Sequence, residues 1–162
     1  MLHRLRDRLR RLHFGLLLAA ALTGCRDRAP ETPTPGTFTW RTVESSALGV
    51  SLRAPSTYAV VEEGNNLFFR YNGTPARVVL VTPEEADRRG LWARSEPREA
   101  VRIAGRDGHR YVYDHFDGPV FSHTVAYVFP HRGRQLGLEF RTDTDGLDAV
   151  QAEMLASLRF AD

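Results

Sequence analysis

The segment 109-HRYVYDHFDGPVFSHTVAYVFPHRGRQLGLEFR-141 holds three strand-like runs separated by two turn sequences. Asp117-Gly118 and Pro130-His131-Arg132-Gly133 are the turns, because Gly, Pro and Asp supply the backbone angles that a reversal needs. The runs His109 to Phe116, Val120 to Phe129 and Arg134 to Arg141 are rich in Val, Tyr and Phe, which suit a pleated, half-buried surface. Upstream, Glu99 to Ala104 adds a fourth run, joined through Gly105-Arg106-Asp107-Gly108. Connections this short join antiparallel neighbours only. The segment is therefore an antiparallel meander.

Working towards the N-terminus, Phe38, Trp40 and Thr42 alternate with polar neighbours, as do Val50 and Leu52 with Ser51 and Arg53. Pro55 breaks that run and Tyr58 to Val61 resumes it. Gly64-Asn65-Asn66 turns the chain into Leu67 to Tyr71, and Asn72-Gly73 is the strongest hairpin signal, since both positions tolerate positive φ. Ala76 to Val81 is almost continuously apolar, which implies burial on both faces. A short helix then starts with Thr82 as cap, Pro83 at the first position and Glu85 completing a capping box; Arg88, Arg89 and Gly90 suit its end. Beyond the meander, Thr142-Asp143-Thr144-Asp145 offers N-caps for a helix over 146–157. Its apolar face is Leu147, Val150, Met154 and Leu158. Leu158-Arg159-Phe160 is expected to return to the sheet. The fold class is α+β.

The first residues carry a different signal. Arg4, Arg6, Arg8, Arg10 and Arg11 precede a mostly Leu and Ala run from Phe14 to Leu22. That run is too short to span a bilayer, which takes roughly 20 apolar residues, but it suits the core of an export signal. Phe14 falls one position late for a twin-arginine motif. The run ends in Leu22-Thr23-Gly24-Cys25, which resembles the lipobox of bacterial lipoproteins. The resemblance implies cleavage before Cys25 and a diacylglyceryl thioether on its sulfur, often with an acylated amine. Several acyl chains at ~0.8 kcal/mol per buried methylene anchor stably where one would not. The competing reading is a secreted protein with a free thiol. Cys25 is the only cysteine, so no intramolecular disulfide forms.

Three regions follow: a lipoprotein signal peptide over 1–24, a lipidated Cys and Pro-rich tether over 25–37, and a globular domain over 38–162. Pro30, Pro33 and Pro35 give the tether polyproline character. At ~3.1 Å per residue its span from Arg26 to Gly36 reaches roughly 34 Å. Arg26 stands where an Asp favours inner-membrane retention in enteric bacteria, so the resemblance implies the periplasmic side of the outer membrane.

The precursor carries 22 basic and 20 acidic residues, a formal +2. Removing residues 1–24 takes away five Arg and Asp7, leaving 17 and 19, or −2. A body so balanced has no electrostatic footprint for nucleic acid. Every basic residue is Arg, which a GC-rich genome explains.

Catalytic chemistry finds little purchase. After residue 24 the histidines are His109, His115, His123 and His131. His109 and His115 lie about 20 Å apart along one strand, too far to share a zinc ion. Asp143-Thr144-Asp145-Gly146 resembles part of a calcium loop, but Arg141 and Ala152 stand where its first and last ligands belong. There is no Gly-x-Ser-x-Gly elbow, and the acid pairs Glu62-Glu63 and Glu84-Glu85 lie at a turn and a helix start. No metal site, cofactor or catalytic residue is expected. Tyr111, Tyr113, His123 and Tyr127 form the candidate binding surface, with Trp40 and Trp92 elsewhere, because aromatics with polar tips are enriched at interfaces. Their sharing a face depends on the 117–119 turn. If it counts three residues, Tyr113 lies opposite His123; if two, His123 moves to the other face.

Leu48-Gly49-Val50-Ser51-Leu52-Arg53-Ala54-Pro55 with Tyr58, and Met154-Leu155-Ala156-Ser157-Leu158-Arg159-Phe160, resemble the opening and closing of the PsbP-like superfamily. That group includes bacterial lipoproteins of the DcrB kind. The likeness runs over roughly 38 to 161 and implies an antiparallel sheet with helices on both faces, an α/β/α sandwich with accessory or binding roles. The family's calcium and chloride association does not carry over, for no ligand motif matches. The expected function is a membrane-anchored, non-catalytic accessory domain of the cell envelope that binds another envelope protein or a small ligand. The alternatives are a metal-assisted hydrolase using His123 and nearby carboxylates, and a structural spacer.

Overall fold

A computed structural model describes residues 33–34, 36–90, 92, 99–117 and 120–161, of which 115–117 and 120–122 are described by their backbone alone. Ten strands and two helices follow in order. They are β1 (Trp40–Ser45), β2 (Val50–Pro55), β3 (Ala59–Glu63), β4 (Asn66–Arg70) and β5 (Ala76–Val81), then α1 (Pro83–Arg88). After them come β6 (Glu99–Ile103), β7 (Arg106–Asp117), β8 (Val120–His131), β9 (Arg134–Thr142), α2 (Ala149–Ala156) and β10 (Arg159–Phe160).

The meander forms as its turns dictate. β6, β7, β8 and β9 pair antiparallel in succession, and β5 adds antiparallel to β9. The whole sheet runs β3-β4-β5-β9-β8-β7-β6. Asn72 and Gly73 take φ of 45° and 126° between β4 and β5, the left-handed angles that Asn and Gly tolerate best.

Sheet count departs from expectation. β10 does not return to the large sheet. It pairs with β2, which also pairs with β1, to make a separate three-stranded sheet. Pro55 ends β2, and a turn in which Tyr58 N–H donates to Pro55 O at 3.0 Å carries the chain across.

Alternation along the strands sorts the core into two clusters. Leu67, Phe69, Val78, Leu80, Val125, Phe129, Leu136, Leu138 and Phe140 join Leu48, Val50, Leu52 and Ala54 of the small sheet and Val150, Met154 and Leu158 from the α2 region. The intervening residues Val79, Val81, Ala126 and Val128 pack with Ala86 of α1, Trp92 and Tyr111. The molecule is mostly antiparallel sheet with two short helices.

Both helices are capped by side chains. Thr82 Oγ1 accepts from Glu85 N at 3.1 Å, the first half of the expected capping box, while the Glu85 carboxylate accepts instead from Arg89 Nη1 at 3.3 Å. α2 starts later than expected, at Ala149. Its cap is Asp148, whose carboxylate accepts from Gln151 N at 2.8 Å while Gln151 Oε1 accepts from Asp148 N at 3.2 Å. The expected caps at 142–145 fail because Thr142 is still in β9, paired with His123. Thr142 Oγ1 then donates to Thr144 O in the loop beyond.

Leu22, Thr23, Gly24 and Cys25 lie outside the described residues, as do 26–32 and Pro35 of the tether. Pro33 is buried, and Thr37 donates to Thr34 O from its N–H at 3.2 Å and its hydroxyl at 2.6 Å. Among the described residues, no helix is long and apolar enough to cross a membrane.

Candidate functional site

The turn between β7 and β8 counts two residues, since Asp117 pairs with Val120. Tyr113 therefore lies opposite Thr124, Tyr111 opposite Ala126, and His123 opposite Asp114. The four-residue strip does not exist as one surface. Tyr111 and Tyr113 belong to the side carrying Val79, Ala126 and Val128, whereas His123 and Tyr127 point to the side of the main core. Tyr111 and Tyr127 are also buried, and Tyr127 meets Phe140 edge to face at 6.5 Å. Trp92 is likewise interior, at 4% exposure. Of the strip, Tyr113 and His123 keep partial access to solvent.

What the fold gathers around Tyr113 was not foreseen. Glu139, only 6% exposed, sits on the same side of β9 as Gly137. Its Oε1 accepts from Trp92 Nε1 at 3.0 Å, and its Oε2 accepts from Arg77 Nε at 2.9 Å and from Arg77 Nη2. The Tyr113 hydroxyl lies close to the Glu139 carboxylate and to Thr124. Burial, then the Glu139 charge, push the Tyr113 hydroxyl well above the ordinary tyrosine range. A carboxylate out of water is costly unless its lone pairs are filled, and here they are. Arg77 and Glu139 meet because β5 and β9 pair with Arg77 opposite Glu139. Trp92 reaches the carboxylate because residue 137 is glycine: a Cβ there would lie 2.3 Å from the indole Cζ2. This cluster joins a half-buried guanidinium and phenol to a buried indole on one side of the sheet. Both carboxylate oxygens are engaged, so it recognises or rigidifies more readily than it transfers protons.

On the other side, His123 Nδ1 lies 2.8 Å from Asp114 Oδ1 and 3.8 Å from Asp145 Oδ1. Arg110 ties the same loop down by donating to Asp145 O, and pairs with Glu99 at 3.3 Å. These contacts join β7, β8 and the loop before α2. Among the described residues, no group of three or more His, Cys, Asp or Glu is arranged to hold a metal ion. His131 is buried, with Nε2 at 3.0 Å from Leu48 O and its ring 5.4 Å from Phe160. His109 is exposed and stands edge-on to Tyr111. The His115 side chain lies outside the described residues.

A shallow groove of about 490 Å³ opens beside β6 and β7, lined by Val101, Arg102, Asp107, Gly108, His109 and Pro130. Arg102 and Asp107 pair across it at 3.2 Å, which leaves little unbalanced charge for a ligand.

No protein-family model and no curated protein matches this chain. Among solved structures, it is similar to a protein of Bacteroides thetaiotaomicron at 16% identity and a TM-score of 0.55, over 75% of this chain and 48% of that one. This chain thus spans about half the length of that protein. It is also similar to cyanobacterial PsbP (CyanoP) from Synechocystis sp. PCC 6803 at 14% identity and a TM-score of 0.52, over 80% of this chain and 97% of that one. At such identities the shared property is the fold, and that fold is PsbP-like.

Proposed function

We propose that this chain is a lipid-anchored, non-catalytic binding domain of the bacterial cell envelope, carried on an acylated Cys25 and facing the periplasm from the outer membrane. The observation that carries the anchor is the apolar run from Phe14 ending in Leu22-Thr23-Gly24-Cys25 ahead of a Pro-rich stretch. In this reading α1 and α2 cover opposite faces of the large sheet, the α/β/α arrangement; Ala86 in one core cluster and Val150 and Met154 in the other support it. Recognition falls to the side bearing Tyr113 and Arg77, where a half-buried phenol and guanidinium stand beside the buried Glu139 carboxylate. The ligand class is another envelope protein or a small ligand.

The test is capture of partners by the acylated protein from envelope extracts, together with a melting-shift screen of small molecules. A reproducible partner or ligand whose binding weakens on Tyr113→Ala is the expected result. No partner and no shift would contradict binding and favour a structural spacer. The hydrolase alternative draws on the two carboxylates near His123. It predicts stoichiometric metal in the purified protein and loss of activity on His123→Ala.

A further inference from the structure

The outward side of the small sheet has an unusual composition. Register places Trp40, Thr42 and Glu44 of β1 on one side with Ser51 and Arg53 of β2 and Arg159 of β10. The opposite side carries Val50, Leu52 and Ala54 into the core. A solvent-facing side of a sheet is normally polar. Here Trp40 stands on it with Phe38 beside it, edge to face at 5.4 Å; both are only partly buried and also pack against the margin of the main core. The Arg53 guanidinium lies over the Trp40 ring at 5.4 Å and pairs with Glu153 at 3.0 Å.

Position makes this pair informative. Phe38 and Trp40 lie close in sequence to Cys25, and Pro33 between them is already buried. Eight residue steps separate Cys25 from Pro33, a reach of at most roughly 28 Å even when fully extended. A body held that close by its N-terminal end presents that end to the bilayer. Indole rings with an apolar body and a polar N–H settle at the headgroup level, and arginines beside them meet lipid phosphates.

We infer that the Phe38–Trp40 side of the small sheet rests on the phospholipid surface of the membrane that holds the lipid, with Arg53 as its phosphate contact. This rests on the anchor reading. It leaves the Tyr113 side of the large sheet, which belongs to the other sheet, available to partners.

The chain has two tryptophans, Trp40 on this surface and Trp92 buried, so fluorescence separates them. Acylated full-length protein and its Trp40→Phe variant are reconstituted in phosphatidylethanolamine–phosphatidylglycerol vesicles with brominated acyl chains, and flotation is recorded alongside emission. The expected result is flotation of both proteins, with the Trp40 emission blue-shifted and mostly quenched while the Trp92 emission surviving in Trp40→Phe is unaffected. Flotation without quenching of Trp40 overturns the orientation but leaves the anchor standing. Absence of flotation overturns both.

Discussion

Glu139 receives bonds from Arg77 and Trp92 while almost wholly out of water, so its removal exposes the cost of every group it satisfied. Glu139→Ala is expected to destabilise the domain by about 3 kcal/mol, the lower end for a broken buried pair because Arg77 keeps some solvent; urea unfolding measures it. Gly137→Ala strikes the same cluster from beneath, since a Cβ 2.3 Å from the Trp92 ring forces the indole off the strand. The expected signature is a red-shifted Trp92 emission together with lost stability, whereas an unchanged spectrum would contradict the packing. A third consequence concerns alkali. Burial raises both Tyr58 and Tyr113 above the ordinary tyrosine value, with the Asp148 and Glu139 charges as the next largest causes. A raised acid keeps its full stabilising effect below the unfolded value of about 10 and loses it as pH climbs past that point. Phenolate absorbance from Tyr58 and Tyr113 is therefore expected to appear only as the domain unfolds.

At the scale of elements, much of the fold was legible because it rests on local chemistry. The four meander strands, the Val-rich β5 and the Thr82 cap all follow from residues close in sequence. Longer-range facts were not. Arg77 and Glu139 are 62 positions apart, and nothing in either neighbourhood announces their pairing. Likewise the side taken by His123 hung on whether one turn used two residues or three, and a single residue inverts every side chain beyond it. The true cap of α2 was hidden because β9 runs on to Thr142, which moves the helix start to Asp148 and its reciprocal partner Gln151. Asp148→Ala is expected to cost about 1 kcal/mol, read as a lowered thermal midpoint. α2 carries Val150 and Met154 into the main core, so its fraying is felt there.

For the molecule as a whole, two sheets share one core, and they divide the surface into a side bearing Trp40 of the small sheet and a side bearing the Arg77–Glu139 cluster. That division suits a domain that sits on a membrane and offers its far side to partners. Cys25→Ser is expected to move the protein from the membrane fraction to the soluble one, since it removes the sulfur that would carry the lipid. The most direct test is the intact mass of the chain purified from bacterial envelopes. A product starting at Cys25 and heavier by a diacylglyceryl group, with or without a third acyl chain, is the predicted result. An unmodified thiol, or a chain still bearing residues 1–24, would contradict it.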